Sequence, residues 1–594
     1  MTGSSKVTPG SPGTKDRSAH RGRPDREHQK HGEHEDGQGA GFLGFIEKVG
    51  NKLPDPFWLF VILAGIVAVT SWIGHRIGMS AVDPGTGETI EVESLLTGEN
   101  ISRMVTDAVE NFIAFPPLGV VLSVMLGVAV AEQTGFLGAL VRAMVAKVGP
   151  RMLTFMVALA GVTGSVASDA IYVIIIPLGA LAFHAVGRSP VVGAMVAFAA
   201  SSAGFNASLI LNITDLLLAG ISTSAANIVD EAYEVSPLAN IYFVIPSAVV
   251  LSLVITLVTE FYVDKKAQAL VNHDHINSDE LSFDKIESRE HAKALKEAES
   301  GDPLMEEAAG EAKEKAKAEN ADRADDYQEG ELTEDQLKLS PIEWKGMVWS
   351  TIALVLFLIA YFCLLFIPGS PFARPEEGFM ESPLIRAIAV PIALAFFLMG
   401  LVYGLIVGTI TSAADIPEFM ARGLKSLLPM LVLFFAVSQF LAWFSWSNLG
   451  AWTAINGAEL LQRWNLPNVL LFLGFVLMVM LINLFITSGS AQWALMAPVV
   501  VPMMMYVGIA PEVTQMLYRI GDSPSNIITP MSPYFALALT FLQRYYKKAG
   551  VGTLMSLALP YTIAMMAGWF IFFLIWYYAG IPLGPGALME YHVG

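Results

Sequence analysis

The residues best equipped for chemistry stand where an apolar sequence should hold none. From Asn483 to Pro533 the chain reads NLFITSGSAQWALMAPVVVPMMMYVGIAPEVTQMLYRIGDSPSNIITPMSP. Ser488, Ser490, Gln492, Arg519, Asp522 and Asn526 lie between runs long enough for a membrane, with Gly489, Gly521, Pro524 and Pro530 among them. A continuous spanning helix has no use for that mixture, whereas broken helices with polar ends do. The stretch reads as one half of a substrate site. The other half is expected near Thr163 to Asp169 and Gly204 to Asp215.

A half-helix that stops inside a membrane leaves backbone groups unpaired, and its N-terminal end favours an anion. Tips of Gly, Ser and Thr, such as Ser488-Gly489-Ser490, allow close backbone approach and add hydroxyl oxygens suited to a monovalent cation or to substrate. Arg519 can hold a carboxylate with its planar fork. Asp522 lies three residues on, so the two share a helix face, either for binding or as an ion pair closing the broken helix. Asp169 and Asp215 are the first-half acids, able to titrate with a driving proton or to hold a cation. Asp169, just past a tip, also reads as a helix cap. Asp215, within an apolar run, has no such explanation and is the better ion carrier. Asn206, Asn212, Asn483 and Asn526 offer amides to substrate or to broken backbone. Trp493 either stacks on an aromatic substrate or packs its hairpin.

The elements that must position these groups follow from composition. The 594 residues are 54% hydrophobic and 15% charged, with a mean hydropathy of +0.53. Soluble domains carry about 25% charged residues, so this is an all-α polytopic membrane protein. The single cysteine, Cys363, excludes an intrachain disulfide and a thiolate metal cluster. Residues 1–41 are polar, lack a secretory apolar core and read as a disordered cytoplasmic tail. The net charge of -18 is concentrated in a cytoplasmic insert, 263–340, whose residues 264–340 hold 22 acidic against 11 basic residues. That insert reads as solvated helix or disorder without a catalytic motif.

Continuous spans are expected at 57–77, 112–132, 239–262, 346–367, 385–410, 426–448 and 552–579, with broken spans at 190–220 and 511–541. Nine Lys or Arg precede residue 57, whereas 78–111 has only Arg103, which places the N-terminus in the cytoplasm and, after nine crossings, the tail 589–594 in the periplasm. Two remaining apolar stretches, 152–187 and 469–508, are interrupted at GVTGSVASDA and TSGS and read as re-entrant hairpins entering from opposite sides. Hairpin then broken span occurs in both halves, 42–262 and 341–588, which is the inverted repeat of many secondary transporters.

The blocks TSGSAQWALMAPVVVPM, YRIGDSPSNIITPMSPYF, SDAIYVIIIPLGA and AGFNASLILNITD resemble the aminobenzoyl-glutamate transporter (AbgT) family, over roughly 42–262 and 341–588. The resemblance implies an inner-membrane secondary transporter with nine spans and two hairpins, assembled as a homodimer. It implies p-aminobenzoyl-glutamate, a folate breakdown product, as substrate, with sulfonamide export driven by proton motive force in some members. The family's functional residues fall on Asp215 and on Asn483, Trp493, Pro511, Arg519 and Asp522. A core sodium ion is implied as well, for which Thr163, Ser165, Asn206, Ser488 and Asp522 supply oxygens. A glutamate moiety would bring carboxylates to Arg519, and an aniline ring shared with sulfonamides would face Trp493. The basic tail and the acidic insert depart from the family without touching these positions.

Other classes fit less well. No HExxH occurs, and His184 stands alone, so an intramembrane enzyme lacks its ligands or base. Broken helices around buried charge suit alternating access better than an open channel. Nothing points to a nucleic-acid partner or an organic cofactor. Direction, coupling ion (proton or sodium) and a carrier role for another aromatic or dicarboxylate anion stay open at this stage.

Overall fold

The computed structural model describes residues 54–145, 148–167, 170–270, 339–367, 369–374 and 382–592. The tail 1–41, most of the insert 263–340 and Asp169 lie outside the described residues.

The first half opens with α1 (Pro56–Ile77), started by the Asp55 side chain, which accepts from the Phe57 N–H, and ended by Gly78 at φ 70°. A short antiparallel pair, β1 (Ser80–Val82) and β2 (Thr89–Glu91), precedes α2 (Gly98–Thr106) and α3 (Ala108–Ile113). Next come α4 (Pro116–Gln133) and α5 (Phe136–Val145). Two shorter helices, α6 (Leu153–Thr163) and α7 (Ala170–Ala185), are followed by α8 (Pro190–Phe198), a π turn at Ala199–Ala203, an irregular stretch and α9 (Ile213–Ala226). Helix α10 (Ile241–Val258) runs through a second π turn into α11 (Asp264–Leu270).

The second half contains α12 (Pro341–Phe366), α13 (Pro383–Arg386), α14 (Ala389–Val407), α15 (Asp415–Ser426), α16 (Leu428–Trp446) and α17 (Leu449–Trp464). It closes with α18 (Asn468–Asn483), α19 (Gly489–Tyr506), α20 (Pro511–Asp522), α21 (Pro533–Tyr545) and α22 (Val551–Tyr578). The order of two short helices and then a broken one thus occurs twice, at 153–226 and 468–545.

Seven helical stretches among the described residues are long and apolar enough to cross a membrane: α1, α4, Ile241–Ala267, α12, α14, α16 and α22. They coincide with the seven continuous spans expected from sequence. Helix α12 leaves Val348, Ile352, Leu356, Ile359 and Phe362 exposed, an apolar face that suits lipid and not water. Where helices touch, small residues allow it. A Cβ on Gly127 of α4 would collide with the Ala393 carbonyl of α14, and one on Gly400 of α14 with the backbone at Ala131. The ends of α6 and α7 are tied to the second π turn, since Arg188 Nη1 donates to Thr154 Oγ1 (2.9 Å) and Glu260 Oε1 (2.7 Å).

Candidate functional site

Both helix breaks have local causes. In the first, α8 widens into a π turn and ends at Gly204, where a Cβ would strike Ala200 O and Val162 Cγ2. In the second, Ser523-Pro524-Ser525 forms a 3-10 turn after α20, and the helix restarts at Pro533. Each leaves polar groups within the protein interior that need partners, and the two breaks supply partners to one another.

Asn206 Nδ2 donates to Asp522 Oδ2 at 2.7 Å, and the Asn206 N–H donates to Ser523 Oγ at 3.1 Å. Arg519 Nη1 meets Asp215 Oδ1 at 2.6 Å, with side chains 1% and 6% exposed. Asn483 Nδ2, at the end of α18, lies within hydrogen-bonding distance of Asp522 O (2.9 Å), Ser525 Oγ (2.8 Å) and Asn526 Oδ1 (2.9 Å). The site is therefore built across more than 300 residues of sequence, with two carboxylates and one guanidinium withdrawn from solvent.

Two expectations need correction. Asp215 does have a cap role: with α9 restarting at Ile213, Asn212 is its N-cap and Asp215 its third residue, and they form a capping box (Asn212 N to Asp215 Oδ2 2.8 Å, Asp215 N to Asn212 Oδ1 3.1 Å). Its other oxygen faces Arg519. Arg519 in turn pairs with Asp215 across the breaks and not with Asp522 on its own helix. The N-terminal end of α9 is thus occupied by its own box, so it offers an anion less than expected.

The end of α19 is more open. Ser488 is exposed and Gly489 and Ser490 half-buried; Ser488 Oγ accepts weakly from Ala491 N at 3.4 Å and lies 3.5 Å from Ser490 Oγ. The Tyr518 hydroxyl donates to Gly489 O (2.6 Å), and a Cβ at Gly489 would sit 3.4 Å from Asp522 Oδ2. Asn526 is half-buried. Pro511 is the buried first residue of α20. Trp493 is fully buried, its N–H shared by Leu218 O (3.3 Å) and Ser222 Oγ (3.1 Å) and its ring tilted on Tyr518.

Of the oxygens expected around a cation, Asn206 and Asp522 come together, while Ser165 Oγ donates to Val162 O and accepts from Asn212 Nδ2 (3.3 Å). Thr163 Oγ1, Asn206 Oδ1, Asp522 Oδ1 and Arg519 Nε are buried with no hydrogen-bond partner. Among the described residues no group of three or more His, Cys, Asp or Glu could hold a metal ion. Sequence reasoning missed Gln515, whose amide lies 2.8 Å from Ser222 Oγ and, with its oxygen turned inward, accepts from Arg519 Nη2 at 3.3 Å. It stands four residues before Arg519, on the same helix face, which was the available signal.

The model of the AbgT putative transporter family matches residues 41–301 and 319–591. The p-aminobenzoyl-glutamate transport protein of Escherichia coli (strain K12) is 35% identical over 551 residues, 92% of this chain and 97% of that protein. The solved YdaH transporter of Alcanivorax borkumensis is 35% identical, with a TM-score of 0.75 over 90% of this chain and all of that one. The solved MtrF of Neisseria gonorrhoeae, described as illuminating a class of antimetabolite efflux pumps, is 35% identical with a TM-score of 0.76, over 92% of this chain and all of that one.

Proposed function

Since the chain belongs to the AbgT putative transporter family, we propose that it is an ion-coupled secondary transporter of p-aminobenzoyl-glutamate in the bacterial inner membrane. The observation that carries this reading is the buried Asp215–Arg519 pair where two broken helices meet. Buried charge within membrane segments is costly and retained mainly for function.

Arg519 Nη1 is held by Asp215 Oδ1, and Asp215 Oδ2 accepts the Asn212 N–H. A glutamyl carboxylate therefore competes with Asp215 for one guanidinium. Protonation of Asp215 removes that competitor, and Arg519 turns its fork to the substrate. Loss of the proton restores the Asp215–Arg519 pair and expels the carboxylate. Proton movement and substrate release are then two sides of one exchange. Sodium would act instead through the partnerless oxygens Asn206 Oδ1 and Asp522 Oδ1, beside the 2.7 Å bond that joins these residues. The Ser488–Ser490 tip, at the open N-terminal end of α19, receives the second carboxylate.

The architecture we propose has nine crossings, namely the seven long helices and two broken ones, Pro190–Ala226 and Pro511–Tyr545, plus two re-entrant hairpins, 153–185 and 468–506. Helix lengths and the repeated order of elements support it. The N-terminus is cytoplasmic, the C-terminus periplasmic, and the protein is a homodimer. The tail and the insert are cytoplasmic, and the insert departs from the family less than its composition suggests, since the family model also matches its residues 263–301 and 319–340. A second reading, proton-driven export of antimetabolites such as sulfonamides, is favoured by the likeness to the gonococcal protein.

The test is uptake of labelled p-aminobenzoyl-glutamate into proteoliposomes, with proton and sodium gradients imposed separately. Saturable accumulation driven by either gradient supports the reading. No saturable flux under both, with a labelled sulfonamide accumulating instead, would replace the substrate.

A further inference from the structure

One buried amide beside the site faces two neighbours that it cannot satisfy at once. Gln515 stands one turn before Arg519 on α20 and is 1% exposed. One side of its amide lies 2.8 Å from Ser222 Oγ and 3.3 Å from Leu218 O, both on α9. The other side lies 3.3 Å from Arg519 Nη2 and 3.0 Å from Asn240 Oδ1. A guanidinium only donates and calls for the amide oxygen on that side, whereas the Asn240 oxygen accepts and calls for the amide NH2. Asn240 has no reason to reverse. Its Nδ2 donates to Glu512 O at 3.0 Å, a backbone carbonyl that can only accept, and the residue is 2% exposed.

Each orientation of Gln515 serves a different neighbour. With its oxygen toward Arg519, the amide accepts from Nη2 and donates on its far side to Ser222 Oγ and Leu218 O. Turned over, it donates to Asn240 Oδ1 (3.0 Å) and accepts from the Ser222 hydroxyl (2.8 Å). Ser222 suits both, because a hydroxyl rotates between donor and acceptor. The Trp493 N–H keeps Leu218 O and Ser222 Oγ in either case. The turn is about the last side-chain torsion, which is broad and roughly two-fold, and it exchanges an oxygen for a nitrogen, so no cavity is required.

Arg519 sets the choice. While its Nη1 pairs with Asp215 Oδ1 at 2.6 Å, Nη2 lies against Gln515, and a bond from a charged donor outweighs a neutral one. Once the guanidinium turns to a substrate carboxylate, the demand that remains on that side is that of Asn240. Asn240 is the N-cap residue of α10, so the turned amide ties the middle of α20 to the start of α10.

We infer that Gln515 is a two-position positioning residue for Arg519, its amide turned to the guanidinium in the resting carrier and to Asn240 in the loaded one. This rests on the proposed exchange of Asp215 for substrate at Arg519. Asn240 then contributes to substrate affinity through Gln515.

The experiment is equilibrium binding of labelled p-aminobenzoyl-glutamate to the purified protein. Wild type, Gln515→Met, Gln515→Glu, Asn240→Ala and Ser222→Ala are compared with Gln515→Met combined with each of the last two. Methionine keeps the length of the side chain and removes both bonds; glutamate keeps the acceptor and loses the donor. Asn240→Ala and Ser222→Ala should each raise Kd about threefold to tenfold, the value of one neutral hydrogen bond, and by less than about twofold once Gln515 is methionine. Gln515→Glu holds Arg519 in place and should raise Kd about tenfold or more, while Gln515→Met should bind at least as tightly as wild type. A purely structural network would lower stability in these variants but shift Kd alike with and without the glutamine. An Asn240→Ala effect of equal size in both backgrounds, or Gln515→Met binding as weakly as Gln515→Glu, overturns the assignment. If Asn240→Ala fails to fold, having also lost its bond to Glu512 O, Ser222→Ala decides the matter by the same comparison. Wild type that binds no p-aminobenzoyl-glutamate, or Arg519→Gln that binds it as wild type does, sinks the exchange itself, a result distinct from the others.

Discussion

Asp215→Asn should damage the protein more than Arg519→Gln, and the two together less than either alone implies. The asymmetry follows from the partners left behind. Asp215→Asn strands a guanidinium that is 1% exposed and whose Nε already lacks a partner. Removing one member of a buried pair costs about 3–5 kcal/mol. Arg519→Gln strands a carboxylate that keeps its capping-box bond from Asn212 N, so its cost should be smaller, about 2–3 kcal/mol. The double variant places two neutral amides where the charges were and removes the stranded charge altogether. Its cost should lie below the sum by about 2–4 kcal/mol, well beyond the few tenths expected of independent sites. The assay is unfolding in mixed micelles titrated with denaturing detergent, followed by tryptophan fluorescence for all four proteins. Additivity within about 0.5 kcal/mol would refute the claim that these residues form a desolvated pair.

Three further outcomes are expected. Asn483→Ala removes a fully buried amide from Asp522 O, Ser525 Oγ and Asn526 Oδ1; stability should drop by about 2–4 kcal/mol in the same titration, and uptake at least about tenfold. A Cβ at Gly521 would lie 2.7 Å from Val476 O and Val479 Cβ, whereas one at Gly474 meets nothing within 4 Å; Gly521→Ala should cost about 1–3 kcal/mol and Gly474→Ala nothing or less, as unfolding midpoints would show. The Asp415 carboxyl, at the first residue of α15, is held down from 3.8 to about 2 by the N–H groups of Ser412 and Thr411, then by their hydroxyls. A depressed folded-state value means its stabilisation is present above 3.8 and lost as pH falls toward 2; Asp415→Asn should therefore lower stability near neutral pH and lose that effect in strong acid.

The breaks were legible because glycine, proline and charge in an apolar run violate what a spanning helix requires, and Gly204, Pro524, Asn206 and Asp522 all stand at them. The seven long helices were legible from length and hydropathy alone. The Asp215–Arg519 pairing was not, because no local pattern relates two charges 304 positions apart; the i, i+3 relation to Asp522 was visible but unused. Asp215 as a capping residue becomes readable only once the helix is known to restart at Ile213.

The account turns on Asp215 and substrate competing for Arg519, and equilibrium binding of labelled p-aminobenzoyl-glutamate to purified protein tests that most directly. Asp215→Asn removes the competitor and leaves a buried guanidinium in need of an anion. It should bind the substrate at least as tightly as wild type, and more tightly when the medium is made alkaline, while Arg519→Gln loses binding by about tenfold or more, the value of a charged hydrogen bond. Equal loss of binding in both variants would contradict the exchange and reduce the pair to a structural brace.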